Sequence, residues 1–144
     1  MNLQAQNDQN GVETPERRGI VDHCTSRLNR ECIDVYAVDK RNGDGANHTY
    51  RIDVRAFENP KNAEPSVTVM LPFQDGGLKD VGANGITEQA LLAVVLDRLR
   101  GFNDGPYRCP ENSMMITKIE EALMWGEKRA NDRARRGLEG QRLA

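Results

Sequence analysis

The period of the apolar pattern changes once along this chain, at Ile86, and that change sets what the chain can fold into. Before it, apolar residues alternate. In Thr49–Phe57, Tyr50, Ile52, Val54 and Ala56 fall on one side, with Arg51, Asp53 and Arg55 on the other, as in a half-buried strand. CIDVYAV, from Cys32 to Val38, places Ile33, Val35 and Ala37 together. PSVTVMLP, from Pro65 to Pro72, sets Val67, Val69 and Leu71 against Ser66, Thr68 and Met70. Polar turns join the three, so the pattern predicts an antiparallel meander with one apolar face. After Ile86 the period is 3.6. Leu91, Leu92, Val95, Leu96 and Leu99 make one wide helical face, with Thr87 as N-cap, Glu88 in the first turn and Gly101 as the stop. A loop is expected over Phe102 to Cys109. Pro110 then suits the first turn of a second helix, which runs to about Arg136, is stopped by Gly137, and carries an apolar stripe of Met115, Ile119, Ala122, Leu123 and Gly126. The expected class is α+β: a small three-stranded antiparallel sheet followed by a long two-helix antiparallel hairpin. Residues 1–30 read as a flexible or partner-ordered tail. Residues 31–144 read as a single α+β domain, with strands over about 32–72 and the hairpin over about 86–136.

Composition narrows the function classes. Apolar residues are 38% of 144 and mean hydropathy is -0.71, which implies a small core and burial of further surface between subunits. No apolar run approaches the roughly 20 residues that span a bilayer, and the N-terminus has no apolar signal segment. Three cysteines are too few and too uneven for a disulfide framework, so a cytoplasmic protein with reduced thiols is expected. A net charge of -2 argues against a general DNA or RNA binder. Yet KRANDRARR, Lys128 to Arg136, holds five basic residues and one acid, a compact anion attractor that also suits a helix C-terminus. Past Trp125 the second helix is polar all round, and it projects into solvent or against another subunit.

The chemistry-bearing residues point to binding more than to catalysis. His23, Cys24, Cys32 and His48 match no ordinary zinc spacing, and no metal is expected. Cys109 has no oriented histidine, and Glu120 and Glu121 are adjacent and so face apart; no catalytic residue and no cofactor are expected. The glycine-rich FQDGGLKDVGANG lacks the phosphate-loop ending and reads as a plain loop. Arg129 and Arg133, four apart, share a helix face, and guanidinium suits phosphate. Phe102 and Tyr107 stand between the helices, where a ring could stack on a base or cap the hairpin core. Asn112, in the first turn of the second helix, could contact a ligand or cap the helix locally. Asn112 and Arg129 are separated by 17 residues, about 25 Å of helix, more than a small nucleotide spans. Two copies packed antiparallel about a two-fold axis would bring the loop end of one to the arginines of the other, giving two composite pockets per dimer.

These segments are recognisable. LDRLRGFNDGP and ALMW…KR…DR.RRG, within the stretch from Gly85 onward, resemble the phage Thoeris anti-defence proteins, sponges for the cyclic ADP-ribose isomers made by bacterial TIR enzymes. The hairpin is also similar to that of the phage anti-CBASS sponge, which sequesters cyclic di- and trinucleotides. The resemblance implies that Phe102 stacks on the adenine of the ligand and that Asn112 contacts it. It implies that Arg129 and Arg133 hold the pyrophosphate from the partner subunit, and that Lys118 is the nearest counterpart of a ligand lysine in the shorter relative. It implies a homodimer, or a hexamer as a trimer of dimers, acting in the cytoplasm of an infected bacterium on a cyclic ADP-ribose isomer or on cyclic di- and trinucleotides. The competing readings are a hydrolase of the same signals and an adaptor that docks on a protein.

Overall fold

A computed structural model describes residues 17–61 and 63–137. The chain divides into two compact units, Met1–Met70 and Leu71–Ala144, where the sequence reading expects one body from residue 31. The N-terminal unit is built on a sheet of order β1-β2-β3-β4, with β1 Arg18–Ile20, β2 Ile33–Ala37, β3 Thr49–Val54 and β4 Val67–Pro72; the division between units falls inside β4. The three expected strands are present, and the sheet has a fourth. β1 pairs antiparallel with β2, Gly19 opposite Tyr36, so the ordered sheet begins before residue 31. Three residues are too short to show a period of two, which is why β1 is silent in the sequence. A helix, α1 Arg27–Cys32, follows with Ser26 as its cap, accepting from the Asn29 N–H. The first 16 residues of the expected tail lie outside the described residues.

The alternation of β3 has an unexpected result. The side read as solvent-facing holds Asp53, which is 1% exposed. The register sets Tyr36 opposite Arg51 and Asp34 opposite Asp53. Asp53 accepts hydrogen bonds from the Tyr36 hydroxyl, from Arg51 Nε at 2.8 Å and from Thr68 Oγ1 at 2.8 Å. Burial works to raise the Asp53 carboxyl, but these three donors outweigh it and hold it down at about 2. Arg55 pairs with Asp34 at 2.9 Å and also donates to the Ala63 carbonyl. On the other side only Ala37 is fully buried; Val67 and Val69 of β4 stay exposed.

The C-terminal unit holds α2 Leu78–Val81, α3 Glu88–Asp104 and α4 Pro110–Arg135. The glycine-rich stretch is a closed loop containing α2. Phe73 and Ile86 form a parallel bridge at its base, and Gln74 and Asn84 fasten it: the Asn84 N–H donates to Gln74 Oε1, and Gln74 Nε2 donates to the Gly82 carbonyl. Gly85 is obligatory there, because a Cβ would sit 2.3 Å from the Phe73 carbonyl carbon. Thr87 caps α3 as expected, accepting from the Ala90 N–H. Pro110 opens α4 and Arg136 caps it, with Gly137 at φ 69° just beyond. Gly101, however, does not stop α3, which runs on to Asp104 and is capped by Gly105. Its backbone is not left-handed, and a helix-interior glycine costs only about 1 kcal/mol. Contacts between Asn103 and Ser113, Arg100 and Glu120, and Gln89 and the Gly126 position run in opposite senses along the two helices, so α3 and α4 form an antiparallel hairpin.

Candidate functional site

The hairpin packs through one stripe and leaves another uncovered. Leu96 is its one buried apolar residue among those described, flanked by half-buried Leu92 and Leu99. On α4 the half-buried positions Ile116, Ile119, Leu123 and Gly126 recur at three and four residues and face α3. The stripe read from the sequence splits here. Ile119, Leu123 and Gly126 belong to the packed line, whereas Met115 and Ala122 fall on a second, exposed line with Trp125. No residue of α4 is fully buried along its 26 residues.

At the loop end the chain assembles a small polar and aromatic cluster. Because α3 continues past Gly101, Phe102 sits in its last turn and not in the loop as expected. Its ring meets Tyr107 edge-on, with centroids 5.9 Å apart. The Arg98 guanidinium, one turn back on α3, lies 4.8 Å from the Phe102 centroid. Asn112 donates from Nδ2 to the Tyr107 carbonyl at 3.1 Å, which fixes the loop against the start of α4. Asn103 donates to Ser113 Oγ at 3.1 Å. The Arg98–Phe102 contact and the place of Asn103 on α3 both follow from Gly101 being helical.

The arginine end lies on the same continuous helix. Arg129 is exposed and Arg133 half-buried. On a neighbouring face Lys128 pairs with Asp132 at 2.7 Å, so the one acid of the basic run is engaged locally. Cationic neighbours hold its carboxyl below the usual carboxylate range, the Lys128 hydrogen bond foremost. Phe102 and Asn112 are therefore brought together, and Arg129 and Arg133 share the far end of α4, about 25 Å along it. The two groups do not meet within one chain. The two histidines have separate partners in the sheet unit: His23 Nε2 bonds the Ile33 carbonyl at 2.7 Å and His48 Nε2 bonds Asp44 at 2.9 Å.

Residues 72–130 match the model described as Acb2/Tad1, hairpin domain. The matched residues run from the end of β4 through the fastened loop and α3 into α4, and they include Phe102, Asn112 and Arg129. The chain is also 48% identical over 68 residues to the protein named Thoeris anti-defense 1 of Bacillus phage SBSphiJ7. That alignment covers 47% of this chain and 48% of the relative, so the chain matches about half the length of the curated relative. The sheet unit falls outside the hairpin-domain match.

Proposed function

We propose that this protein is a phage anti-defence sponge: it binds cyclic ADP-ribose-type signals made by bacterial TIR enzymes in the host cytoplasm and withholds them from their receptor without cleaving them. The observation that carries the reading is α4 itself. It is unbroken from Pro110 to Arg135, with an aromatic–amide cluster at one end, arginines at the other, and an exposed apolar line between them. A two-fold pairing of α4 with its copy, crossing near Ala122, brings residues whose numbers sum to 244 face to face. Met115 then opposes Arg129 of the partner subunit, and Asn112 lies next to Arg133 of the partner subunit. A small residue at the crossing lets the helices approach closely. Each pocket would take Phe102 for stacking and Asn112 for a polar edge from one chain, and two guanidinia for the diphosphate from the other. The name of the phage relative and the hairpin family support the same reading.

The test is mass spectrometry of ligand released by heat from protein incubated with TIR products. Intact ligand is expected; a cleaved product overturns the sponge in favour of a hydrolase. Cyclic di- and trinucleotides, the second ligand class, belong in the same assay because the hairpin family is shared with Acb2. The composite pocket has its own test. An Arg129→Ala, Arg133→Ala chain mixed with a Phe102→Ala, Asn112→Ala chain should recover tight binding at half a site per mixed dimer. No recovery after verified subunit exchange places the ligand within one chain.

A further inference from the structure

The sheet unit holds a group of cations that the hairpin reading does not use. Arg17 and Arg18 stand where β1 begins, and Lys40 and Arg41 stand on the loop that leaves β2. With Asp39 and Asn47 they line an open cleft of about 740 Å³. In a chain of net charge -2, four cations against one acid among the described lining residues is a local reversal of sign.

The acid is already committed. The Asp39 carboxylate accepts from the backbone N–H of His48 at 2.7 Å and of Thr49 at 3.1 Å, and from Asn47 Nδ2 at 3.3 Å. Burial works to raise its carboxyl, but those donors prevail and hold it below its ordinary value. Asp39 thereby ties down the loop that carries Lys40 and Arg41. Asn47 is the floor of the cleft, 7% exposed. It donates to the Asp39 carbonyl at 2.7 Å and accepts from Arg18 at 2.7 Å. Arg18 is thus fixed through one N–H and keeps further donors in its fork. Arg17 is set over the Tyr36 ring, 5.4 Å from the centroid, a stack that leaves the guanidinium edge able to donate.

Cations fixed before a ligand arrives lose little entropy when it binds. A cleft of this volume suits a nucleotide-sized molecule. A single carboxylate can meet one guanidinium fork, whereas phosphates in series can meet those of Arg17, Arg18 and Arg41 together, each with oxygens that accept two parallel guanidinium bonds. We propose that this cleft is a second ligand site, for a small polyanion carrying two or more phosphates. It lies wholly in the sheet unit and does not depend on the hairpin reading. Nucleotides and inorganic polyphosphate share this chemistry; a nucleotide adds a base that can take the Tyr36 ring face from Arg17.

The test is isothermal titration of the full chain with ATP and with inorganic tripolyphosphate. Both should bind saturably, and equally well to a Phe102→Ala, Arg129→Ala, Arg133→Ala variant; loss of binding in that variant would assign the phosphates to the hairpin and overturn the second site. Arg17→Ser with Arg41→Ser, both exposed positions, should weaken binding at least tenfold at unchanged melting temperature, and lysine at both should restore most of it. ATP tighter than tripolyphosphate supports a nucleotide with its base on Tyr36, and equal affinity supports phosphate recognition alone. No saturable binding of either probe, undiminished binding in the serine variant, or tighter binding of a hexaglutamate peptide each overturns the proposal.

Discussion

The two units solve opposite problems with similar residues. In the sheet unit the polar groups find one another within the chain. Tyr36, Arg51 and Thr68 converge on Asp53, Arg55 pairs with Asp34, and Asp39 holds two backbone amides. In the hairpin unit the packed stripe is thin, α4 buries no residue completely, and Met115, Met124 and Trp125 stay exposed. A buried carboxylate with three donors is complete in itself, because each donor offsets part of its desolvation. A helix with a second apolar line is not complete until something covers that line. The lesson is that the sheet unit satisfies its polar groups within itself, whereas α4 leaves an apolar line exposed along its length.

The largest effect that would break this contrast lies at the arginine end. Charge-assisted contacts to phosphate are worth roughly 1.5–3 kcal/mol each, so Arg129→Ala with Arg133→Ala should cost about 3–6 kcal/mol of ligand affinity if they add. The sheet unit should not register the change. Calorimetry checks the first point and circular dichroism the second; a loss under 1 kcal/mol would remove the arginines from the pocket. Next comes the line between the ends. Ala122→Arg would set two like charges against each other at the crossing, and light scattering should report a monomer, with a dimer dissociation constant raised on the order of a hundredfold. A dimer of unchanged strength would place the interface elsewhere.

The sheet side is tested by acid. Asp53 has a folded carboxyl near 2 against an ordinary 3.8. A depressed carboxylate contributes stability above the unfolded value and loses it as pH falls through the folded one. The unit should therefore lose about 2 kcal/mol between pH 4 and pH 2. Asp53→Asn should flatten that part of the pH profile, read by chemical denaturation at each pH. A variant with the same acid slope as the parent would assign the slope to another group.

The main features of both units were legible in the sequence, for different reasons. Period and caps locate the long helices because Thr87, Pro110 and Gly137 act locally, and their neighbours suffice to read them. Asp53 was misread because alternation says which side chains share a face and not which face is covered. Only the register of Tyr36 against Arg51 and the nearness of Thr68 close over it, and those are contacts across the chain. Gly101 was misread because a glycine can sit inside a helix for only about 1 kcal/mol, and here α3 runs on for another turn to Asp104 before Gly105 caps it in an extended conformation. That turn decides the site, since it moves Phe102 from the loop onto α3 and places Arg98 beneath it.

The smallest expected effect follows from that placement. Arg98 is a cation of the hairpin unit that has a partner inside the chain, the Phe102 ring at 4.8 Å, whereas Arg129 is exposed on α4. If Arg98 only steadies the ring, its removal should cost what an exposed cation–π contact is worth, about 0.5–1 kcal/mol, or two- to fivefold in ligand affinity. Phe102→Ala should cost more, about 1–3 kcal/mol, because it removes the stacking surface itself. Arg98→Lys would keep the charge over the ring and most of the affinity, while Arg98→Met would keep the stem and lose the charge. The double variant Arg98→Ala, Phe102→Ala should then be no weaker than Phe102→Ala alone, since a steadying contact has no effect without the ring it steadies. Additive losses would mean that Arg98 reaches the ligand directly. The hairpin would then supply cations from both of its ends, and the division between a stacking end and a charged end would have to be redrawn.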